Sequence, residues 1–379
     1  MTIGEHAAPG SSDLELASSE TQDRIRFHFF GDNEIRNFRV KWGHLSVRRS
    51  RPEITEVACG LINNLDAAFT QKNDLIVGVR DGENRPVEAA MRYRGDPADQ
   101  RIGKEEPVGG YELRDHRAAY YLGVRAHHYG HFLLETLCRA WAWEEYGAGT
   151  VPVIQVSPVE EFAQAMYRLV PDLMERIEIV VAPTRYDRVI VPAPAFVVGY
   201  AAHAEFKIFC ERMAERADSS GGPMTEQPLY LSRTGLGVEA RRHFADEPRL
   251  ENFLERHGFR IVRPETLPFA EQVALYNRYR WIVAPQGSAC HTRLFSRRPV
   301  DLVVLTSNLN PNYILCDLLC EGTAHYGKVF TKPDFKQSPN SPSKRSVKLH
   351  DENLLALLKQ LGLVRGNAAF DDLSADRTP

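Results

Sequence analysis

The sequence has little that would place it in a membrane, on nucleic acid or in a secretory pathway. None of its apolar runs approaches the roughly 18 residues that a membrane-spanning helix needs. The formal net charge is only −3, from 47 Lys and Arg against 50 Asp and Glu, so no overall basic field points to nucleic acid. The first residues lack the charged start and apolar core of a signal peptide, and their polar composition predicts a disordered lead over 1–23.

Signatures of metal and nucleotide binding are also missing. The six cysteines, at positions 59, 138, 210, 290, 316 and 320, form no CxxC pair and no zinc spacing. The Gln-Gly-Ser-Ala turn at 286–289 is neither a Walker loop nor a GxGxxG motif, so ATPase and dinucleotide-binding functions have little support. Scattered cysteines of this kind favour a reduced, cytoplasmic setting.

The chain does have enough apolar content for one large domain or two ordinary ones, each with its own core, since 43% of its 379 residues are hydrophobic. The strongest linker is 218–228, where Ser, Gly and Pro cluster without periodicity. We therefore predict an N-terminal α/β domain over 24–217 and a C-terminal α/β domain over 229–330. Residues 331–379 are predicted to form a loop, a terminal helix and a tail.

From about residue 117, short apolar strands alternate with amphipathic helices, which predicts parallel sheets with right-handed crossovers. The predicted strands are Ala119–Val124, Val151–Val156, Ile177–Val181, Arg188–Pro192, Leu229–Ser232, Phe259–Val262, Trp281–Ala284 and Val300–Leu305. The predicted helices are Gly130–Glu145, Val159–Leu169, Ala204–Ala217, one from Pro248 to a left-handed cap at Gly258, one from Pro268, and Asp351–Leu361. Nearer the N-terminus we predict a strand within Arg24–Phe30 and a helix near Ile54–Phe69.

Polar residues follow two strands of the C-terminal domain, at the edge where parallel sheets bind ligands. Ser232-Arg233 follows the first strand, and Arg242 lies in the loop beyond it. Gln286-Gly287-Ser288-Ala289 follows the third strand and opens a helix that contains Cys290 and His291. An arginine can hold a phosphate bidentately, and a helix N-terminus favours an anion. The alternatives are a surface arginine, an ordinary tight turn and a buried histidine.

The densest polar cluster of the N-terminal half runs from His127 to Glu135. His131 and Glu135 lie one helical turn apart, so they could act as a base and its orienting carboxylate. His127 and His131 have a spacing that suits a metal, but Gly130 separates them and no cysteine completes a site. A structural role for these side chains is the alternative.

Four stretches together resemble glycosyltransferase family 61. They are Tyr129-Gly130-His131-Phe132 with Glu135, Tyr230-Leu231-Ser232-Arg233 with Asp246-Glu247, Gly258-Phe259 through Pro264-Glu265 to Phe269-Ala270-Glu271-Gln272, and Ala284-Pro285-Gln286-Gly287-Ser288. The resemblance spans 117–305. Gln286 stands where the family usually has histidine, and Ser288 where it has alanine.

The resemblance implies an α/β fold with two Rossmann-like halves that face a cleft, in a GT-B-like architecture. It also implies an inverting, metal-independent transfer from a nucleotide-sugar, typically a UDP-sugar, to a glycan or other hydroxyl acceptor. The chain lacks the Asp-x-Asp triplet that holds a metal in many sugar transferases, so arginines and helix amides would neutralise the diphosphate, with no cofactor expected.

Each candidate residue then has an expected role. Arg233, Arg242 and the amides of 288–290 would bind the donor diphosphate, with Ser232, Gln286, Gly287 and His291 beside them. Glu271 and Gln272 would orient this loop or the ribose, and His131 or Glu135 would deprotonate the acceptor.

Two further points stay open at this level. A non-catalytic saccharide- or nucleotide-binding protein of an envelope polysaccharide pathway is the alternative function, because Gln286 and Ser288 depart from the family pattern of the loop. A phosphosugar hydrolase or epimerase on the same architecture is a further alternative. The basic residues Lys336, Lys344, Arg345 and Lys348 are either a solvated loop or a contact to anionic lipid or glycan, as at the inner face of a membrane or in an assembly complex.

Overall fold

The computed structural model describes residues 27–30, 44–63, 77–97, 113–155, 160–218, 222–236, 244, 246–320, 322–331 and 347–366. They form a mixed α/β protein of two compact units, one from residues 44–213 and one from residues 27–30 with 214–366. The predicted lead over 1–23 and the basic residues Lys336, Lys344 and Arg345 lie outside the described residues.

Strands and helices alternate through most of the described chain. The strands are β1 Phe27–Phe30, β2 Ser46–Arg48, β3 Ile54–Ala58, β4 Leu61–Ile62, β5 Val79–Arg80, β6 Leu113–Val124, β7 Thr150–Gln155, β8 Glu178–Val180, β9 Thr184–Pro192, β10 Phe196–Val197, β11 Ala201–His203, β12 Leu229–Leu231, β13 Arg260–Val262, β14 Trp281–Pro285, β15 Asp301–Thr306 and β16 Ala324–Lys328. The α-helices are α1 Tyr129–His131, α2 Trp143–Tyr146, α3 Glu161–Tyr167, α4 Ala204–Ala217, α5 Glu247–Arg256, α6 Phe269–Arg278, α7 Pro311–Cys320 and α8 Asp351–Gln360. Shorter helical segments are Glu88–Ala90, Phe132–Thr136, Leu137–Ala142, Met174–Arg176, Thr234–Leu236, Pro264–Thr266 and Ser288–Phe295.

The second unit is built on a six-stranded sheet in the order β1-β16-β15-β14-β12-β13. Every neighbouring pair in this sheet is parallel, as the alternating pattern predicts. The five strands from β12 onward follow the 2-1-3-4-5 order of flavodoxin-like sheets, and that order reverses between β12 and β14. The topology therefore places a ligand-binding switch point at the carboxyl ends of those two strands.

The sheet of the second unit is completed by β1, from the N-terminal part of the chain. Phe27–Phe30 pairs in parallel with Ala324–Lys328 at the edge of the sheet. The sequence predicted this strand but grouped it with the N-terminal domain of 24–217. The linker signal at 218–228 could not reveal a pairing between segments so far apart along the chain.

The first unit has a mixed sheet in the order β5-β4-β9-β6-β7-β8, with β3 also paired to β9. Its β9, β6, β7 and β8 are mutually parallel, whereas β3, β4 and β5 pair antiparallel. A smaller sheet joins β10, β11 and β2. The parallel strands are those that the sequence predicted from residue 117 onward.

Amphipathic helices cover the sheet of the second unit as their spacing predicts. Leu250, Phe253 and Leu254 of α5 are buried in one apolar cluster with Tyr230 and Val283 of the sheet. The cluster supplies most of the driving force for packing, because each buried side chain of this size is worth about 1.5–3 kcal/mol. Leu354, Leu357 and Leu358 of α8 enter the same core.

Gly258 ends α5 in the predicted left-handed conformation, with φ of +85°. Its amide donates to the Glu255 carbonyl, and the Phe259 amide donates to the Leu254 carbonyl. This pair of bonds is a Schellman motif, in which glycine avoids the Cβ clash of a left-handed residue.

One predicted helix is wrong. Residues Ile54–Ala58 and Leu61–Ile62 are strands that pair with β9. Cys59, with φ of +52°, and Gly60 make the turn between them. A Cβ on Gly60 would lie 2.6 Å from Val189 Cγ2, so the turn packs directly on β9. The β-branched residues of ITEVA favour this outcome.

No helix among the described residues is long and apolar enough to cross a bilayer.

Candidate active site

Two predicted segments meet at the switch point of the second unit. Ser232-Arg233 follows β12 and Gln286-Gly287 follows β14, its parallel neighbour. The Nη1 of Arg233 donates to the Gln286 carbonyl oxygen at 2.8 Å. The Nε of Arg233 is buried and has no hydrogen-bond partner among the described residues. A half-buried arginine with an unmade hydrogen bond at its Nε is suited to an anionic oxygen, because charge-assisted bonds are the stronger kind.

Gly287 allows the arginine to come this close. A Cβ at position 287 would lie 2.7 Å from Nη1 of Arg233. The φ of Gly287 is −171°, which is ordinary extended backbone. The glycine is therefore needed for space, and a side chain here would push the guanidinium away from the Gln286 carbonyl.

The backbone of Arg233 is held by a buried carboxylate. Glu247 Oε1 accepts the Arg233 amide at 2.8 Å and the Tyr230 hydroxyl at 3.0 Å. Only 2% of the Glu247 surface is exposed, and burial raises the pKa of this carboxyl to about 7. The sequence identified Asp246-Glu247 only as an acidic pair. In the structure, Glu247 binds the backbone amide of Arg233 directly.

The raised pKa of Glu247 predicts a pH-dependent free energy of unfolding. Between the pKa of about 4.5 in the unfolded chain and about 7 in the folded one, the folded protein keeps a proton that the unfolded chain has lost. Below pH 4.5 this group makes its full contribution to the free energy of unfolding, on the order of 3 kcal/mol. That contribution is lost as pH rises through 7.

Urea unfolding at about pH 5 and about pH 8 measures this effect. Wild type should lose stability relative to Glu247→Gln as pH rises. Glu255→Gln, an exposed carboxyl on the same helix, should follow wild type. Parallel pH dependence of wild type and Glu247→Gln would contradict the buried, proton-binding state of this carboxyl.

Ser232 serves the turn after β12 through its hydroxyl. It is fully buried, and its Oγ lies 2.9 Å from Thr234 Oγ1 and donates to the Glu251 carboxylate. Arg263 closes the cluster, with Nε donating to Thr234 Oγ1 at 2.6 Å and Nη2 to Glu251 Oε2 at 2.9 Å. The Ser232 hydroxyl, which the sequence predicted to bind the sugar donor, thus lies inside a polar cluster that fixes the Arg233 turn.

Two tyrosines fix the loop that follows β14. The Tyr313 hydroxyl donates to the Gly287 carbonyl at 3.1 Å, and the Tyr276 hydroxyl donates to the Ala289 carbonyl at 2.7 Å. The predicted helix follows, as a 3-10 helix over Ser288–Phe295. The Cys290 amide donates to the Gly287 carbonyl at 3.1 Å. That bond uses the Cys290 amide, and its binding to the diphosphate stays a prediction.

The other loop residues differ in exposure. Ser288 is exposed and Ala289 half-buried, so this part of the loop faces solvent. Gln286 is buried, with Oε1 accepting the Thr306 hydroxyl at 2.5 Å. His291 is also buried, and its ring stacks on Tyr313 with centroids 4.7 Å apart. For His291 the geometry matches the packing role that the sequence kept as an alternative.

A buried ion pair anchors the far end of this 3-10 helix. Arg293 pairs with Asp317 of α7, which also accepts the Tyr326 hydroxyl of β16. Arg293 Nη2 donates to the Val300 carbonyl at 3.0 Å. Buried charges persist only when paired in this way, so the network ties the loop after β14 to α7 and to the sheet.

Two of the predicted donor residues that the structure describes are not joined to this group. Glu271 is exposed, and the Gln272 Nε2 donates to the Leu267 carbonyl at 3.0 Å. Among the described contacts, neither side chain reaches the loop after β14. Arg242 lies outside the described residues. Their donor-binding roles stay predictions.

The first unit holds the second candidate cluster. His131 Nδ1 lies 2.7 Å from Glu135 Oε1, as predicted for residues one turn apart. Arg92 pairs with the same carboxylate, and Arg94 Nη2 donates to it at 3.1 Å. The Glu135 side chain is 2% exposed, whereas that of His131 is 40% exposed. Burial and the nearby Arg94 lower the pKa of Arg92 to about 10, which still leaves it a cation at neutral pH.

The two arginines decide the roles that this pair can take. A carboxylate held by two cations is an acceptor only, so His131 Nδ1 carries the proton that bonds it. Nε2 of the neutral ring is then the basic nitrogen. The geometry thus suits His131 as the base and Glu135 as its orienting group. Glu135 lies in a π-helical turn, Phe132–Thr136, a form often found at functional sites.

His127 belongs to a different contact. Its Nδ1 lies 3.0 Å from Glu160 Oε1, and Glu160 also pairs with the buried Arg125. Among the described residues, no group of three or more His, Cys, Asp or Glu side chains is placed to hold a metal ion.

Comparison with known proteins places both clusters in one family domain. A comparison with curated proteins found no match. Residues 129–303 match the family described as Glycosyltransferase 61. The matched range contains His131, Glu135, Arg233 and the loop after β14, and the signatures that carry the resemblance lie within it. Residues 129–303 of this chain are a glycosyltransferase family 61 domain.

Proposed function

We propose that the protein is an inverting, metal-independent glycosyltransferase that moves a sugar from a nucleotide donor, a UDP-sugar, to a hydroxyl of a glycan acceptor in polysaccharide or capsule biosynthesis. The observation that carries the proposal is the meeting of the Arg233 guanidinium with the Gln286-Gly287 loop at the switch point. That edge is where open parallel sheets bind phosphorylated ligands.

The charge chemistry of this edge suits a diphosphate leaving group. Arg233 supplies a fixed cation whose Nε is buried without a partner among the described residues. The Cys290 amide is used by the Gly287 carbonyl, which leaves the Ser288 and Ala289 amides at the start of this helix as donors toward an anion. Preorganised donors of this kind stabilise the charge that develops as the sugar–phosphate bond breaks.

The proposed reaction is a single displacement. The acceptor oxygen bonds to the anomeric carbon while the bond from that carbon to the diphosphate oxygen breaks. The acceptor proton passes to Nε2 of His131, and the electron pair leaves with the diphosphate near Arg233. Glu135 keeps the His131 ring oriented and stabilises its cationic form.

The proposal includes the GT-B-like architecture that the family resemblance implies, with two Rossmann-like halves. The parallel sheet of the second unit and the parallel strands β9, β6, β7 and β8 of the first support it. A reduced, cytoplasmic setting, including the inner face of a membrane, is also part of the proposal, and six free cysteines support it.

Nucleotide binding tests the proposal. Melting temperature and calorimetry would be measured with UDP, GDP, CDP, ADP and the matching nucleotide-sugars, with and without EDTA. A ligand that binds the native state raises the free energy of unfolding by mass action, by about 2.7 kcal/mol at a hundredfold excess over Kd. The melting temperature rises as a result. We expect selective binding of UDP and a UDP-sugar that EDTA leaves unchanged.

The other outcomes have separate meanings. Binding that EDTA abolishes would contradict metal independence and keep the transferase. Donor binding without hydrolysis or transfer to any acceptor would favour a non-catalytic binding protein. A folded protein that binds none of the nucleotides would overturn the proposed function.

A further inference from the structure

The first unit contains a large cleft apart from the His131–Glu135 pair. Its volume is about 900 Å³, within the range of small-molecule and saccharide sites. It lies among the segments 48–58, 81–89 and 193–203, with Tyr93 beside them. Neither His131 nor Glu135 lines it. The segments fall in the part of the chain for which the sequence suggested no function.

The cleft combines aromatic faces with hydrogen-bonding groups. Tyr93 and Tyr200 both line it, and the Arg48 guanidinium lies 5.9 Å from the Tyr200 ring centroid. The exposed carboxylates of Glu53 and Glu88 are at its wall. A sugar ring has an apolar C–H face and a rim of hydroxyls, so it matches aromatic rings beside carboxylate acceptors.

The charges of the cleft argue against a polyanionic ligand. Five carboxylates line it, against three arginines, and two of those arginines are already paired. Arg85 pairs with Asp81 at 2.7 Å, and Arg51 pairs with Glu145 at 2.8 Å. An acidic excess repels a nucleotide diphosphate. The cleft is therefore suited to a neutral or amino-sugar saccharide and not to the donor.

One backbone segment joins the cleft to the candidate base. Arg92 and Arg94 bind Glu135, while Tyr93 between them lines the cleft. In extended backbone, successive side chains point to opposite faces, which explains this division. The buried Arg139 holds the segment through the Ala89 carbonyl at 2.6 Å and that of Met91 at 2.8 Å. The Arg92–Arg94 wall between cleft and base is thus held by contacts to Arg139 and Glu135.

We propose that this cleft binds sugar residues of the acceptor chain that are remote from the reacting hydroxyl. The inference rests on the proposed function, because it assigns the cleft to the acceptor of that reaction. The cleft makes the affinity of an acceptor depend on its chain length. Sugars bound beside the Arg92–Arg94 wall hold the chain while its reacting end lies elsewhere.

The test begins with the whole chain on a printed array of neutral, amino-sugar and acidic oligosaccharides and of peptides. The glycan retained most strongly is then titrated calorimetrically in several chain lengths. Tyr93→Ala, Tyr200→Ala and Glu88→Gln should each weaken binding of the long form by about threefold to tenfold, the loss expected of one aromatic contact or hydrogen bond. Binding of the shortest form should change little. Glu175→Gln, an exposed carboxyl of the same unit outside the cleft, should behave as wild type.

Nucleotide binding separates failure of this inference from failure of the proposed function. The three cleft variants should keep the wild-type melting shift with UDP, which also shows that they fold. Retention of no oligosaccharide, preference for peptides, or wild-type glycan affinity in all three variants would overturn the cleft assignment while UDP binding stands. If wild type binds no nucleotide, the proposed function is overturned, and the assignment of the cleft to its acceptor is overturned with it.

Discussion

Replacing Arg233 with alanine should lower kcat for sugar transfer by about a hundredfold to a thousandfold, the usual effect of removing one preorganised charge-stabilising donor. The physical reason is that, among the described residues, Arg233 is the arginine whose guanidinium donates a hydrogen bond to the Gln286 carbonyl in the loop after β14. Steady-state transfer with a UDP-sugar and donor titration would measure the loss. Arg233→Lys should recover part of it, because lysine keeps the charge and loses the bidentate geometry.

The fold should tolerate this change. The variant loses one hydrogen bond to Gln286, worth about 0.5–1.5 kcal/mol, while Glu247 still accepts the amide of residue 233. Arg260→Ala, on an exposed position of the neighbouring strand β13, is the matched control and should keep wild-type rates. Undiminished turnover in Arg233→Ala would remove the phosphate role from the switch point.

Replacing His131 with alanine should lower kcat by about a hundredfold to ten-thousandfold, since a positioned general base contributes that much. The pH–rate profile should also lose the limb on which wild type gains activity as the base loses its proton. His128→Ala is the control, because His128 is an exposed neighbour with its ring centroid 6.4 Å from that of His131. A His131→Ala profile that overlays wild type would exclude histidine as the base.

Glu135→Gln gives the complementary result. The amide cannot balance Arg92 and Arg94, and breaking a buried ion pair in this way costs about 3–5 kcal/mol. We expect a lower melting temperature together with a smaller fall in kcat than in His131→Ala. The opposite order of rates, with Glu135→Gln the slower enzyme, would make Glu135 the base.

The second unit was largely predictable because its signals are local. Leu250, Phe253 and Leu254 recur at helical spacing, and Gly258 ends their helix by the conformation that only glycine adopts easily. The position of Ser232-Arg233 and Gln286-Gly287 at one edge followed from parallel pairing alone. Their direct contact could not be predicted from strand pairing, because it depends on the path of the Arg233 side chain over Gly287.

The first unit was less predictable because its contacts are distant in sequence. Arg92 and Arg94 reach Glu135 across 43 and 41 positions, and no local periodicity marks that pairing. The alternation of Arg92, Tyr93 and Arg94 is the one sequence feature that could have suggested an extended segment with two faces. The short strands Ile54–Ala58 and Leu61–Ile62 depend on pairing with β9, so propensity over a few residues could not identify them.

The edge position of β1 makes the second unit discontinuous along the chain. Phe27–Phe30 is synthesised before the first unit, yet its partner strand Ala324–Lys328 emerges almost 300 residues later. Pairing over such a separation carries a high contact order, which slows folding and leaves an open sheet edge on β16 until β1 docks. A separately expressed second unit would therefore need residues 27–30 joined to 214–366, and a fragment that begins at the linker would expose that edge to self-association.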